Sequence, residues 1–600
     1  MIKLSDYVMQ FVAKAGVKHL FMLTGGACMH LVDSAGRNRD LEYVCCLHEQ
    51  ACAFAAEAYA EYSGSLAACL VTTGPGSTNT LTGVAAAWLE SASCLFLSGQ
   101  AKRADMIGNR GVRSMGQQEI DIVSMVRPIT KYAASVQDPR TIRYELEKAT
   151  YLATHGRRGP VWIEIPLDVQ AAMVDETTLQ GYEPEPSPPP VALAPQVEAA
   201  IDLLNQAERP VLFLGNGARA ALAGRRLNAL IERLQIPVLL TWKTADILPE
   251  SHYLFAGRPG AIGQRFANFT QQNADCLLVI GARLDLPQTA FNHQNFARAA
   301  RKIMVDVDHA EIAKMQTAID VPICADSRDF IAEFLRQANR LKPGRHGAWI
   351  AQCQHWRRAY PVVLPEYRDE PAGTVNTYVL VDELSRQLQA DDVLVPGSSG
   401  PCSDIFLQAF RVSEGQRVVN APGLGAMGTG LPATIGACLA SGRKRVVCVV
   451  GDGGFQLNIQ ELETVRRLNL PIKYFVLCNG GYAAIMSSQR NYFESFYVGS
   501  EPGSRLTLPN VTKVAEAYGI AIASIDSHAG LQEQIRRVLA HDGPIVCAVA
   551  TSPLQPTAPR VTSTVREDGV IVSRPMEDMW PLLSREELEA NILLPIMDKV

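Results

Sequence analysis

The chain has 600 residues, 47% hydrophobic and 20% charged, with a formal net charge of −5 and a pI near 6.2. That length exceeds what a single core fills and, at about 150 residues per domain, predicts three or four domains of a well-packed α/β protein. The mild acidity argues against nucleic acid or an anionic membrane as partner, and no apolar run reaches the roughly 18 residues needed to span a bilayer.

Met1 to Asp6 shows no signal-peptide core. The 14 cysteines include no CxxC pair and mostly sit in apolar runs, so they are expected to be reduced core residues of a cytoplasmic protein. In the first 182 residues, strand-like runs at 19–23, 41–46, 66–73 and 94–98 alternate with amphipathic stretches, the pattern of a parallel sheet wrapped by helices. His48, Glu49 and Gln50 stand where the second of these strands meets an alanine-rich helix predicted over 51–62. Read alone, Glu49 is equally a first-turn acid complementing the helix dipole. A linker over 183–195 follows, with Pro184, Pro186, Pro188, Pro189 and Pro190 too close together for regular structure. A second α/β unit opens on the strand Pro210–Leu214 and runs to about 345. Its Gly215 and Gly217 begin a GxGxxA pattern able to face a nucleotide diphosphate, a weak signal alone. The third unit starts near Asn376 and closes on a strand at 544–550, before a tail with a helix-like segment at 584–593 that is either a packed cover or a mobile lid.

Within the third unit, one hydrophobic strand leads into Asp452, Gly453 and Gly454, and the next leads into Asn479, Gly480 and Gly481. The 25 positions from 454 to 478 fit a helix and a returning strand. A β-α-β unit delivers both polar residues to the same carboxyl edge, where open α/β sheets bind ligands. A carboxylate, an amide oxygen and the main-chain carbonyl of Gly481 are hard donors suited to Mg2+ on a diphosphate, and the glycines let backbone approach phosphate. The bland alternative is a tight turn with an incidental aspartate.

This spacing resembles the metal-diphosphate signature of thiamine diphosphate (ThDP) enzymes. His48-Glu49-Gln50 and the stretch 71–79, with Pro75 and Asn79, are similar to the pyrimidine-binding domain of acetohydroxyacid (acetolactate) synthases. The stretch 423–432, with Gly425 and Met427, matches that family's GLGTMGxGLPA segment. The resemblance implies three consecutive Rossmann-like, doubly wound parallel-sheet domains: pyrimidine-binding 1–182, central 196–345, diphosphate-binding 370–555, and a tail 556–600. It implies that Glu49 hydrogen-bonds an aminopyrimidine nitrogen and favours the imino tautomer that removes the thiazolium C2 proton. By the same resemblance the Gly425 carbonyl receives the 4′-amino group and Met427 wedges between the rings, the alternative for Met427 being plain packing. Upstream, Ser399 and Gly400 offer a hydroxyl and a small residue for phosphate oxygens. The Glu49 half and the metal half come from different subunits in that family, so a homodimer or homotetramer is implied. Arg157, Gly215, Gly217, Arg283 and Asp308 resemble FAD-contacting positions; the alternative is a Rossmann-like scaffold without flavin.

The resemblance breaks at the substrate pocket. The family's phenylalanine is Gln117, with the following glutamine kept as Gln118; its lysine is Leu167, its arginine Pro287 and its tryptophan Ser488. Two cations and two rings are lost, removing charged hydrogen bonds worth about 1.5–3 kcal/mol each and opening space. The expectation is a ThDP- and Mg2+-dependent enzyme that decarboxylates a 2-oxo acid, pyruvate first, and joins the product to a carbonyl acceptor other than pyruvate or 2-oxobutyrate, with Gln118 facing the substrate. A keto-sugar nucleotide acceptor is an analogy. Acetolactate synthase proper, a simple decarboxylase, a flavin oxidase and a non-catalytic paralogue are the alternatives.

Overall fold

A computed structural model describes residues 1–185, 193–342, 344–369, 373–565 and 571–595. It contains three six-stranded parallel sheets. Prolines 186 and 188–190 of the expected linker lie outside the described residues.

The first sheet takes its strands in the order Glu42–Cys45, His19–Met22, Ala67–Val71, Cys94–Gln100, Val161–Pro166, Tyr132–Ser135. Numbered by position in the chain this is 2-1-3-4-6-5. The third sheet repeats that order with Arg417–Val418, Val393–Pro396, Val446–Gly451, Ile472–Cys478, Ile545–Ala550 and Ala521–Ile525. Its interior strands are unbroken runs such as VVCVV, buried on both faces, because helices cover each side. The central sheet differs. Its order is Phe255–Gly257, Val238–Leu240, Pro210–Leu214, Cys276–Ile280, Arg301–Asp306, Val321–Cys324, or 3-2-1-4-5-6, the dinucleotide-binding arrangement whose crevice opens between strands 1 and 4.

The first and third units share one core. Ala55 and Ala56 of the helix Glu49–Ser63 pack with Leu431 and Ile435 of the helix Gly430–Ala440. Contact is close because Gly436 has no side chain: a Cβ there would lie 2.0 Å from the Ala55 carbonyl oxygen. The central unit has its own core, which the helix Gly347–Ala359 joins through Trp349, Cys353 and Trp356. The tail is a packed cover over much of its length. Met576, Leu588 and Ile592 enter the central core, and Asn273 bonds the Asn591 carbonyl at 2.9 Å and the Leu593 amide at 2.7 Å. Ser584 caps the tail helix Arg585–Asn591. All fourteen cysteines are free, and eleven are buried. Among the described residues no helix is long and apolar enough to cross a membrane.

Candidate active site

Asp452 and Asn479 meet as the strand register requires. Gly451 pairs with Leu477 across neighbouring strands, so both polar residues leave the sheet at one edge. Asp452 is 4% exposed. Its Oδ2 accepts from the amides of Asn479 at 3.1 Å and Gly480 at 2.8 Å, and its Oδ1 from Gly453 at 2.9 Å. Burial raises its pKa, and the amides of Gly480, Gly453 and Asn479 pull against that rise. The Asn479 Oδ1 accepts from Gly481 at 3.2 Å. Around this pair the backbone is too close for side chains: a Cβ on Gly481 would meet the Ser500 carbonyl at 2.2 Å, and one on Gly453 the Tyr482 ring at 2.5 Å. Met427 Cε lies 3.5 Å from that Gly453 position, and Ser398 O is 3.5 Å from where a Gly425 Cβ would stand. Gly425 and Gly400, at φ +63° and +69°, hold left-handed turns that favour glycine. A buried carboxylate beside an amide oxygen and a main-chain carbonyl is a hard-oxygen set that fits Mg2+, and the crowded glycine rim fits a diphosphate. Gly454 follows in the short helix Asp452–Gln456.

Glu49 is the first residue of its helix because His48 Nδ1 accepts the Gln50 amide at 3.1 Å. It is 8% exposed, and Asn79 Nδ2 donates to its Oε2 at 2.9 Å. Pro75 opens the short helix Pro75–Thr78 just before Asn79. Its segment is stapled to the third unit within the chain. Leu47 donates to Glu461 Oε1 at 2.9 Å, and Asn458 Nδ2 bonds both Gln50 Oε1 and the Gly428 carbonyl at 3.0 Å. Glu461 and Asn458 are stapling positions to which the sequence analysis assigned no role, since their partners in the first unit lie about 400 residues away. Gln118 has φ +57°. Its carbonyl abuts Gly74, whose Cβ would lie 2.4 Å away, and its side chain is exposed.

A cavity of about 1220 Å3 opens beside the central sheet, above the roughly 300–1,000 Å3 of ordinary small-molecule pockets. Arg157, Gly215, Gly217, Arg283, Ser399, Gly400 and Gly425 all border it, whereas Glu49, Gln118 and Asp452 do not. Gly217 donates to the Gly281 carbonyl at 3.0 Å, and a Cβ on Gly217 would lie 2.8 Å from Gly281 Cα, so the two strand ends meet at the crevice. The arginines there are already engaged. Arg157 pairs with Asp308 at 3.1 Å and with Glu311, and Arg283 pairs with Asp285 at 2.9 Å. Asp308 caps the helix His309–Ala313, while Asp306 forms the cavity wall. Of the altered pocket positions, Pro287 borders the cavity and Gln117, Leu167 and Ser488 do not.

Three domain models of thiamine pyrophosphate enzymes match the chain in order. The N-terminal TPP binding domain covers residues 2–125, the central domain 197–334 and the C-terminal TPP binding domain 399–549. The acetolactate synthase of Arthrospira platensis is 31% identical over 567 residues, covering 89% of this chain and 91% of that protein. The acetolactate synthase large subunit of Cyanidium caldarium is 30% identical, covering 91% and 93%. The isozyme 1 large subunit of Escherichia coli is 29% identical over the same shares. With three matched domains in sequence and a relative 31% identical over most of both chains, the chain belongs to the thiamine diphosphate enzymes of the acetolactate synthase type.

Proposed function

We propose that the protein decarboxylates a 2-oxo acid, pyruvate first, and transfers the two-carbon unit to a carbonyl acceptor larger than pyruvate or 2-oxobutyrate, of the keto-sugar nucleotide class. The carrying observation is an asymmetry. The cofactor-side residues Glu49, Gly425, Met427, Asp452 and Asn479 are retained, while Gln117, Leu167, Pro287 and Ser488 replace two rings and two cations with smaller or neutral groups.

When bound, ThDP supplies the nucleophilic carbon and the electron sink for loss of CO2. In this reading Asp452, Asn479 and the Gly481 carbonyl hold Mg2+ on its diphosphate. The Gly425 carbonyl would accept a hydrogen bond from its amine, and Met427 would pack against its rings. Glu49 exchanges a proton with the aminopyrimidine; its partner Asn79, a neutral donor, orients the carboxylate without pairing its charge. Gln118 offers a polar contact to substrate. FAD is proposed in the large cavity, supported by the 3-2-1-4-5-6 order and the close glycine pair at its crevice. Carboligation needs no net redox change, so the flavin would be structural. A homodimer or homotetramer belongs to the same reading, supported by the exposed apolar Tyr492, Phe493, Phe496 and Val498 after the Asn479 loop.

Mass spectrometry of products tests the acceptor. With pyruvate and a nucleotide-activated keto sugar, the expected product is the sugar plus one acetaldehyde unit, with one CO2 released. Rapid, stoichiometric acetolactate from pyruvate alone overturns the proposal in favour of acetolactate synthase proper.

A further inference from the structure

Lys243 follows the central strand Val238–Leu240 and sits where all three units meet. An ammonium has three hydrogens to donate, and three acceptors surround this one: the Asn420 carbonyl at 2.6 Å, Glu61 Oε2 at 3.1 Å and Glu90 Oε2 at 3.2 Å. Nothing is left over for a ligand. Glu90 uses its other oxygen on the Gly423 amide at 2.5 Å, and Asn420 returns a bond to the Trp242 carbonyl at 3.1 Å. Residues 420–423 are therefore gripped at both ends, immediately before Gly425, whose own amide bonds the Ala421 carbonyl at 3.3 Å.

Helix stability does not account for the two carboxylates. Glu61 and Glu90 occupy the last turns of the helices Glu49–Ser63 and Leu81–Glu90, where the macrodipole disfavours an anion. Both are buried, at 7% and 6% exposure. Burial works against the Lys243 charge, yet Glu61, Glu90 and Glu57 together hold its pKa above the ordinary lysine value. Removing one partner of a largely buried ion cluster leaves another charge uncompensated, so the complete set favours one position for the backbone it touches.

We infer that Lys243 is a positioning residue, acting with Glu61 and Glu90 to clamp the entry of the 420–425 segment and so to aim the Gly425 carbonyl at the aminopyrimidine of ThDP. The inference rests on the reading that Gly425 and Met427 hold that ring.

Calorimetric titration of the full-length variants with ThDP and Mg2+, combined with the solvent-exchange rate of the bound thiazolium C2 proton followed by NMR, tests it. Lys243→Met is expected to weaken ThDP binding and to slow C2 exchange by about tenfold or more each, as loss of a supporting contact behind a ligand-holding group typically does. Glu90→Ala, which strips the acceptor from the Gly423 amide, is expected to slow exchange similarly. Glu90→Gln, whose single oxygen can still accept from the Gly423 amide while its NH2 faces the Lys243 ammonium, is expected to recover the exchange rate only in part. Should Lys243→Met fail to fold, Glu90→Ala against Glu90→Gln carries the test. Asp452→Asn separates the clamp from the cofactor site. If it loses ThDP while folded Lys243→Met and Glu90→Ala bind and exchange as wild type, the clamp is overturned and the cofactor site stands. If Asp452→Asn also binds ThDP as wild type, the site reading falls, and the clamp with it.

Discussion

Glu57 shows what a buried charge does when no partner is in reach. It is 1% exposed, its Oε1 has no hydrogen-bond partner, and Lys243, Glu90 and Glu61 are the charged groups that face it. Burial first, and the two neighbouring carboxylates after it, push its pKa from 4.5 to about 8 against the pull of Lys243. Because the folded value lies above the unfolded one, the stability tied to the neutral acid is complete below pH 4.5 and drains away as pH rises towards about 8. Glu57→Gln removes that drain. Relative to wild type, its unfolding free energy in urea is expected to gain up to about 1.4 kcal/mol per pH unit between roughly pH 5 and 8. Parallel pH profiles for the two proteins would show that Glu57 titrates normally. Asp452 carries the related signature of a raised pKa on a buried acid, but it lies at a sheet edge beside Asn479, where a metal can neutralise it.

At the scale of single elements, strand ends govern the chemistry. Gly217 and Gly281 approach so closely that a larger residue must part the strands Pro210–Leu214 and Cys276–Ile280 at the crevice. The wild type is therefore expected to show visible flavin absorbance and Gly217→Val to purify without it, while ThDP binding stays within about threefold because Asp452 and Asn479 lie outside the cavity that Gly217 borders. A colourless wild type, or a variant that keeps its flavin, contradicts the FAD assignment. Elements of this kind were readable from sequence. The strands predicted at 19–23, 66–73 and 94–98 are His19–Met22, Ala67–Val71 and Cys94–Gln100, because uninterrupted apolar runs between glycine-rich turns leave few other options. The helix predicted from 51 begins at Glu49, since the His48 ring supplies an unexpected cap. Asp452 and Asn479 converge as their spacing required. The roles of Asn458, Glu461 and Lys243 were not legible, because their contacts join segments far apart in the chain.

Across the whole molecule, the strand order 2-1-3-4-6-5 appears in the first and third sheets while the middle one runs 3-2-1-4-5-6. Two sheets of the same strand order thus share one core, and the dinucleotide-type sheet between them in sequence has its own. The carboxyl edges of the outer two carry Glu49 and Asp452. Sequence order alone could not reveal this arrangement, since it depends on which strands become neighbours. The packed tail adds Met576, Leu588 and Ile592 to the central core, joining the end of the chain to its middle unit. Every step of the account turns on Glu49 serving the cofactor and not merely its own helix. The direct measurement is CO2 release from pyruvate by Glu49→Gln, saturated with ThDP and Mg2+. The account predicts a loss of about a hundredfold or more with ThDP still bound. Turnover equal to wild type would contradict it.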